Sequence, residues 1–198
     1  MVSDLRKRIL EVAYRDGMGH IPSALSILDI VWNLYDRVMT PDDQFILSKG
    51  HGCMALYAVL EAKGLFDWSV KAQGHPKRGG AILASTGSLG HGLPMAIGLA
   101  MAKKIKGEAG RVFCLIGDGE CNEGTTWECG LMIQRFELDN LKVIVDDNGT
   151  SLYTIPNPFG FDFVTTIKGD GVPYLQGREW HNKKLTTEDY EKSVSSIG

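Results

Sequence analysis

Two short apolar runs that each end abruptly at polar residues constrain the fold of this chain most strongly. The first covers residues 111–116 and stops at Gly117-Asp118-Gly119, and the second covers residues 141–145 and stops shortly before Asn148. Runs without polar alternation are typical of parallel strands that are buried on both faces. Because one helix fits between them, the pattern predicts a βαβ unit in an α/β fold with a mostly parallel sheet.

The polar residues after these runs predict a ligand site at one edge of the sheet. Neighbouring parallel strands deliver their carboxyl ends to the same edge, where open α/β sheets bind ligands. Asp118 and Asn148 would each supply an oxygen, which suits Mg²⁺ or Ca²⁺ carrying a diphosphate. The triplet alone is weak evidence, since Gly-Asp-Gly is a common turn. A second copy, at residues 169–171, precedes Val172-Pro173 rather than a helix and is interpreted as a turn.

Composition narrows the class of protein. The chain has 198 residues and a net charge of −3, with basic residues scattered, so a nucleic-acid partner is not expected. It has no apolar stretch of the roughly 20 residues that a membrane span needs, and no apolar segment typical of a signal peptide. The four cysteines form no Cys-x-x-Cys pair. These features favour a cytoplasmic protein with reduced thiols, built as a single domain over residues 1–198 with an irregular part at 150–198.

Periodicity and turn residues predict the other elements. Helices are expected at residues 3–15, 23–39, 53–63, 93–105, 123–138 and 187–195, and further strands at 45–47 and 161–167. The helix at 93–105 has no polar face, which predicts burial against another subunit. The stretch between Gly149 and residue 161 contains Pro156 and Pro158 and leaves no room for a crossover helix. The fold is therefore expected to be compacted near the C-terminus.

Histidines beside glycines form a second group of candidate residues. Four of the five histidines directly follow a glycine, namely His20, His51, His75 and His91, and the fifth is His181. A single histidine in a loop is usually only solvated, but this repeated pattern in glycine-flanked loops favours phosphate binding and proton transfer. Residues 85–92, which we call the glycine loop, resemble a phosphate loop without matching a nucleotide fingerprint. A tight turn before a close-packed helix explains the glycine loop equally well.

Taken together, these motifs resemble those of the transketolase family. They occur in the family's order as Gly19-His20, Leu47-Ser-Lys-Gly-His-Gly52, Gly74-His75-Pro76, the glycine loop, Gly117-Asp-Gly-Glu-Cys-Asn-Glu-Gly124, Asp147-Asn148-Gly149 and Glu179-Trp-His181. The resemblance runs from about residue 4 to 150 and resumes at about 165–192. It is closest to the N-terminal subunit of split transketolases, and it implies a three-layer thiamine diphosphate-binding fold.

The resemblance implies roles for individual residues. Asp118 and Asn148 would ligate Mg²⁺ or Ca²⁺ through their side chains, and Thr150 through its carbonyl. Other residues would touch thiamine diphosphate: Gly119, His51 and His181 at the diphosphate, and Gly87, Ser88, Leu89 and Leu152 around the thiazolium ring. Sugar hydroxyl protons would be handled by His20, His75 and His181. Glu123 and Glu128, which could otherwise be an acid–base pair or a solvated face, match acids at the family's subunit interface.

The resemblance also implies a partner and leaves alternatives open. The glutamate that activates thiamine belongs to the other half of the enzyme, so a separately encoded C-terminal subunit is expected, in a dimer of heterodimers. The substrates would be sugars or sugar phosphates that exchange a two-carbon ketol unit. The segment that the family inserts after Asn148 is missing here. The alternatives are a related transfer on a modified or unphosphorylated sugar, a non-catalytic subunit that only binds the cofactor and, more weakly, a nucleotide-binding protein.

Overall fold

The protein, described by a computed structural model over residues 1–69, 74–151 and 154–198, forms two compact units. The first unit comprises Met1–Val38, His51–His75 and Thr166–Gly198, and the second comprises Met39–Gly50 and Pro76–Thr165. Both units are built from separate stretches of the chain. The predicted single domain over residues 1–198 stays a prediction.

The first unit is helical. Its helices are α1 (Val2–Asp16), α2 (Ile21–Asn33), α3 (Cys53–Ala62) and α6 (Thr187–Ser195). Helices α1, α2 and α3 pack against one another, and α6 packs on α1. Between residues 166 and 186, two short 3₁₀ turns replace regular helix, at Pro173–Leu175 and Arg178–Trp180. The predicted second helix ends earlier than expected, because its last turn widens into a π-helix at Leu34–Val38.

The second unit contains the sheet. Its strands are β1 (Gln44–Leu47), β2 (Val112–Gly117), β3 (Leu141–Asp147) and β4 (Asp162–Thr165), in that spatial order. All three strand pairings are parallel, which confirms the predicted α/β class and parallel sheet. Residues 154–161, before β4, contain no helix, as predicted from the short spacing. The crossover between β3 and β4 is therefore unusually short for a parallel pair.

Two helices complete the second unit and position its sheet. Helix α4 (Gly92–Lys106) packs on β1, β2 and β3, and it also contacts α5 (Gly124–Arg135). The core between them consists of apolar side chains: Ile46, Leu93, Ala96, Ile97, Ala100, Val112, Cys114, Ile116, Cys129, Leu138, Val143 and Val145. Every residue of β2 is buried, as its unbroken apolar sequence predicted.

Three local features differ from the sequence-based predictions or test them. The Gly117-Asp118-Gly119 segment does not lead straight into a helix, because a 3₁₀ turn at Asp118–Asn122 precedes α5. Helix α4 is not covered on all sides by its own chain, since Met95 and Ile105 are exposed. The second triplet, Gly169-Asp170-Gly171, forms a turn as expected, with both glycines at positive φ.

The described residues also bear on two expectations from composition. None of the four cysteines forms a disulfide in the structure, and all four are buried. Burial raises the pKa of the Cys53 and Cys121 thiols to about 12, so they stay protonated near neutral pH. Within residues 1–69, 74–151 and 154–198, no helix is both long enough and apolar enough to cross a bilayer.

Two helix glycines provide a test of the packing in the second unit. A Cβ built on Gly130 of α5 would lie within 2.5 Å of three ring carbons of Phe159, whereas one on Gly98 of α4 would meet nothing within 4 Å. We expect Gly98→Ala to raise the free energy of unfolding by about 0.5–1 kcal/mol, the usual gain in a helix. Gly130→Ala should instead lower it by about 1–3 kcal/mol, because Phe159 must be displaced.

Urea unfolding of both variants measures this difference. Equal stabilisation by the two alanines would show that Phe159 does not pack on α5.

Candidate functional site

The ends of β2 and β3 lie side by side in the second unit. In the parallel register Gly117 is opposite Asp146, so the residues that follow each strand emerge at the same edge of the sheet. Asp118 comes directly after β2, and Asn148 directly after β3. The register therefore brings together the two side chains that the sequence analysis proposed as metal ligands.

Asp118 is the centre of a cluster of hydrogen bonds. Its side chain is almost fully buried, with an exposed fraction of 3% for the residue. The carboxylate accepts main-chain N–H groups from Gly119 at 2.8 Å, Thr150 at 2.7 Å and Ser151 at 2.8 Å. A carboxylate fixed in this way has a defined direction, which a metal ligand requires.

The Thr150 hydroxyl lies between the two predicted ligands. Its Oγ1 atom is 2.9 Å from Asp118 Oδ1 and 2.5 Å from Asn148 Oδ1. The two side-chain oxygens therefore converge on one point, and both are of the hard type that Mg²⁺ and Ca²⁺ prefer. The donors fit a hard divalent cation, which would compete with the Thr150 hydroxyl for these oxygens. The contacts that the structure shows for Thr150 involve its N–H and hydroxyl, so the predicted ligation by its carbonyl stays a prediction.

The composition of this donor set sets it apart from a carboxylate or histidine cage. Within the described part of the chain, no three His, Cys, Asp or Glu side chains come together as a metal site. A cation bound in the second unit would therefore depend on amide or main-chain oxygens in addition to Asp118. Asn148 and Thr150 provide these, as the family resemblance implies.

A buried ion pair orients Asn148, and the sequence analysis did not predict it. Lys49 Nζ contacts Asp146 Oδ2, and the exposed fractions of the two side chains are only 3% and 0%. The same Asp146 oxygen accepts a hydrogen bond of 2.8 Å from Asn148 Nδ2, which leaves Asn148 Oδ1 facing Asp118 and Thr150. Asp146 thus acts through Asn148. The available signal was Lys49 in the Ser-Lys-Gly-His motif, because a buried lysine needs a counter-ion.

Glu120 is a second buried acid that the sequence analysis missed. It has no exposed surface, and its carboxylate accepts hydrogen bonds from Ser48 Oγ at 2.6 Å, Gly90 N at 3.0 Å and Gly117 N at 2.8 Å. Burial raises the pKa of Glu120 above its ordinary value, although these three donors act in the opposite direction. The carboxylate joins the end of β1, the glycine loop and the turn after β2.

The glycine loop exposes the residues predicted to line the thiazolium. Gly87, Ser88 and Leu89 are exposed, whereas Gly90 and Gly92 beside them are buried. A Cβ built on Gly119 would meet nothing within 4 Å, which leaves space beside the Asp118 turn for a ligand. Leu152, the other predicted thiazolium contact, lies outside the described residues. Glu123 and Glu128 are exposed, and their predicted place at a subunit interface stays a prediction.

In the first unit, three of the predicted histidines form a cluster. The ring centroid of His20 lies 5.3 Å from that of His51 and 5.1 Å from that of His181, and the His51 and His181 centroids are 6.2 Å apart. Lys168 Nζ lies 2.7 Å from His181 Nδ1. Since an ammonium group is only a donor, this contact makes His181 Nδ1 the acceptor and fixes the ring's tautomer.

The geometry of His20 is unusual. It precedes α2 with a φ of 59°, in the left-handed region that non-glycine residues rarely adopt. Gly19 permits a close approach here, because a Cβ at this position would lie 2.8 Å from the carbonyl oxygen of Asn182. Burial, followed by the charges of His181 and His75, lowers the pKa of His20. His20 is therefore neutral near pH 7 and able to accept a proton.

His75, the remaining predicted histidine, also belongs to the first unit. Its carbonyl oxygen accepts a hydrogen bond of 2.9 Å from the hydroxyl of Tyr57 on α3, and its charge is among those that lower the pKa of His20. The structure therefore groups the predicted residues into two sets. Asp118, Asn148 and Thr150 come together in the second unit, and His20, His51 and His181 come together in the first.

Comparison with known proteins identifies the family. A family model described as the thiamine diphosphate-binding domain of transketolase matches residues 1–155. One of the named subunits of apulose-4-phosphate transketolase from Phocaeicola vulgatus is 32% identical, covering 97% of this chain and 90% of that protein. The 6-deoxy-6-sulfo-D-fructose transketolase subunit SqwG from a Clostridium species is 30% identical, covering 98% of this chain and 93% of that protein.

The alignments and the solved structures also bear on the predicted compaction. The alignment with the Phocaeicola protein runs over 254 residues although this chain has 198, so that relative contains residues that this chain lacks. Transketolase from Leishmania mexicana has the same fold, with a TM-score of 0.76 at 22% identity over 97% of this chain. This chain spans only 40% of that transketolase.

The resemblance in the motifs is thus confirmed by the family match, by relatives that are themselves separate subunits, and by the shared fold. The chain belongs to the transketolase family of transferases, as the N-terminal, thiamine diphosphate-binding part that split transketolases carry on a polypeptide of its own.

Proposed function

We propose that this chain is the diphosphate-binding subunit of a transketolase-like enzyme that transfers a two-carbon ketol unit from a ketose donor to an aldose acceptor. The observation that carries the proposal is the convergence of Asp118 Oδ1 and Asn148 Oδ1 on one point at the edge of the parallel sheet. Two strands that bury mostly apolar residues end in hard oxygen donors at this edge, beside free space at Gly119. A metal ion carrying a diphosphate has the chemistry that matches these groups.

The second unit is proposed to hold the cofactor's metal and diphosphate. Asp118, Asn148 and the Thr150 carbonyl would ligate Mg²⁺ or Ca²⁺, Gly119 would donate to the diphosphate, and the exposed part of the glycine loop would line the thiazolium. Thiamine diphosphate, when bound, supplies the carbanion stabilisation that ketol transfer requires. The task of this chain's residues is to bind and orient the cofactor.

The first unit is proposed to supply proton transfer and anion contacts. His20 is held neutral by burial and by neighbouring histidines, so it suits a base that accepts a sugar hydroxyl proton near pH 7. His75 and His181 would assist in binding and in proton transfer. His51 and His181 would contact the diphosphate, and Lys168 beside His181 adds a positive charge.

A separate C-terminal subunit is proposed to complete the enzyme. The chain spans about two fifths of the solved transketolases, and its closely matched relatives include proteins named as subunits. The exposed acids Glu123 and Glu128 and the exposed apolar residues Met95 and Ile105 of α4 are candidate contacts for partner chains in a dimer of heterodimers.

The sugar itself is proposed at the level of its class. The two relatives that this chain covers almost fully are named for apulose 4-phosphate and for 6-deoxy-6-sulfo-D-fructose. These names favour a modified sugar, phosphorylated or sulfonated, over the ordinary pentose phosphates. The second candidate function is therefore the same transfer on such a modified donor.

Reconstitution tests the proposed reaction. The chain is incubated with Mg²⁺, thiamine diphosphate, a ketose donor and ribose 5-phosphate, with and without the C-terminal transketolase half that its neighbouring reading frame encodes. We expect turnover only in the mixture, because the glutamate that activates thiamine lies in the other half. Comparing xylulose 5-phosphate with apulose 4-phosphate and 6-deoxy-6-sulfofructose as donors separates the two candidate functions.

Turnover by the chain alone would contradict the requirement for a partner. Cofactor binding by the mixture without turnover on any donor would favour the non-catalytic alternative.

Calorimetry of the chain with Mg²⁺ and thiamine diphosphate tests the metal site. We expect Asp146→Asn, which disturbs the group that orients Asn148, to weaken binding by about 10–100-fold, the usual effect of losing an outer-shell partner. Asp118→Ala removes a ligand and should weaken binding further. Asp139→Asn is the matched control, because it removes an exposed carboxylate that makes only a long contact with Lys104.

The control should bind as the unchanged protein does. If Asp118→Ala and Asp139→Asn bind equally well, Asp118 is not a ligand.

A further inference from the structure

Glu120 occupies a position where a carboxylate is costly. It is completely buried, and the lysine nearest in charge, Lys49, is engaged with Asp146. Burying a carboxylate is unfavourable unless hydrogen bonds replace the lost water. The turn at Asp118–Asn122 needs only one of these bonds, the local one from Gly117 N to Glu120 Oε2. The other oxygen, Oε1, is free of that local task and reaches two distant segments.

Glu120 Oε1 ties the C-terminal end of the glycine loop. It accepts the Gly90 N–H at 3.0 Å and the Ser48 hydroxyl at 2.6 Å. Ser48 Oγ in turn accepts the Gly92 N–H at 3.1 Å. The two amides on either side of His91 are therefore linked to one carboxylate, one directly and one through Ser48. All these partners lie in the second unit.

Glycines make this arrangement possible. A Cβ on Gly92 would lie 2.5 Å from Ser48, and a Cβ on Gly50 would lie 2.9 Å from Gly87 N. Gly90 has a φ of 75°, which a side chain rarely permits. The glycine loop and the residues after β1 thus pack backbone against backbone.

The other end of the glycine loop is fixed independently. Thr86 Oγ1 donates a hydrogen bond of 2.6 Å to the carbonyl oxygen of Leu47, at the end of β1. The exposed segment Gly87–Ser88–Leu89 is consequently held on both sides, by Thr86 before it and by Gly90 after it. These three residues are the ones proposed to line the thiazolium.

We propose that Glu120 is a positioning residue, whose carboxylate sets the distance between the glycine loop and the Asp118 turn and so aligns the thiazolium-lining segment with the metal site. This inference rests on the proposed function. It assigns to a buried acid in the Gly-Asp-Gly-Glu sequence a task beyond capping its own turn. Cofactor affinity should therefore depend on a side chain that touches neither metal nor cofactor.

Two variants of the full chain test this role. Glu120→Gln keeps the size of the side chain but presents an NH₂ group to one of its donors, so it breaks a tie on one side. Ser48→Ala cuts the relay to Gly92 while the bond between Gly117 and Glu120 remains. Val143→Ala is the control, because it removes core volume from β3 without touching the glycine loop. Binding of Mg²⁺ with thiamine diphosphate, and of Mg²⁺ with inorganic pyrophosphate, is measured by calorimetry for each protein.

We expect Ser48→Ala to weaken thiamine diphosphate binding about tenfold, the effect of losing one buried hydrogen bond, and to leave pyrophosphate binding within about twofold. Glu120→Gln should weaken both ligands, since it also disturbs the Asp118 turn. Without ligand, the Gly90 amide of Glu120→Gln should exchange its hydrogen at least about tenfold faster than in the unchanged protein. Val143→Ala should be less stable but bind both ligands normally.

Each outcome bears on one of the two proposals. If the unchanged chain binds neither ligand, the proposed function fails, and the Gly90 exchange rate alone decides whether Glu120 holds the loop. If it binds thiamine diphosphate and both variants bind it within about twofold of that affinity, or no worse than Val143→Ala, the positioning role is wrong.

Discussion

The parallel pairing of β2 and β3 is the constraint on which the second unit depends. Because Gly117 is opposite Asp146, the chain leaves both strands at the same level, and the first polar residues after them meet at one edge. Strands buried on both faces allow few polar side chains earlier, so ligand donors collect where the apolar runs end. Asp118 and Asn148 are neighbours for this reason, although residues 119–147 separate them along the chain.

Two buried acids then fix the edge in place. Asp146 neutralises Lys49 and turns the Asn148 amide, while Glu120 gathers donors from the residue after β1, the glycine loop and the turn after β2. Both acids are fully buried, and removing one partner from a buried ion pair typically costs about 3–5 kcal/mol. Interactions of this kind are a poor route to stability alone, but they hold donors in fixed directions, which a binding site for a metal and a diphosphate requires.

Much of the fold could be predicted from sequence because its signals are local. The apolar runs of β2 and β3, the helix at Thr187–Ser195 and the absence of room for a helix before β4 all follow from patterns within about 15 residues. The 3₁₀ turn before α5 was missed, since it depends on Glu120 accepting the Gly117 N–H. The exposure of Ile105 was also missed, because an apolar helix face does not reveal whether its own chain covers it.

The candidate site could be predicted only in part, for the same physical reason. Asp118, Asn148 and the histidines stand in recognisable motifs, but their supporting partners do not. Lys49 with Asp146, and Ser48 with Glu120, are separated by 97 and 72 residues along the chain, and only the folded sheet brings them together. Ordinary-looking residues of a motif, such as Ser48 and Lys49 before His51, carry such long-range contacts without a local pattern that marks them.

The central claim is that Asp118 and Asn148 hold a divalent metal at the edge of the sheet. Anomalous diffraction from crystals of the chain grown with Mn²⁺ and thiamine diphosphate tests it most directly. The account predicts one strong manganese peak within about 2.0–2.4 Å of a side-chain oxygen of each residue, the usual range for hard cations with oxygen ligands. A diphosphate beside a manganese peak that contacts neither Asp118 nor Asn148, or a peak confined to exposed carboxylates, would contradict it.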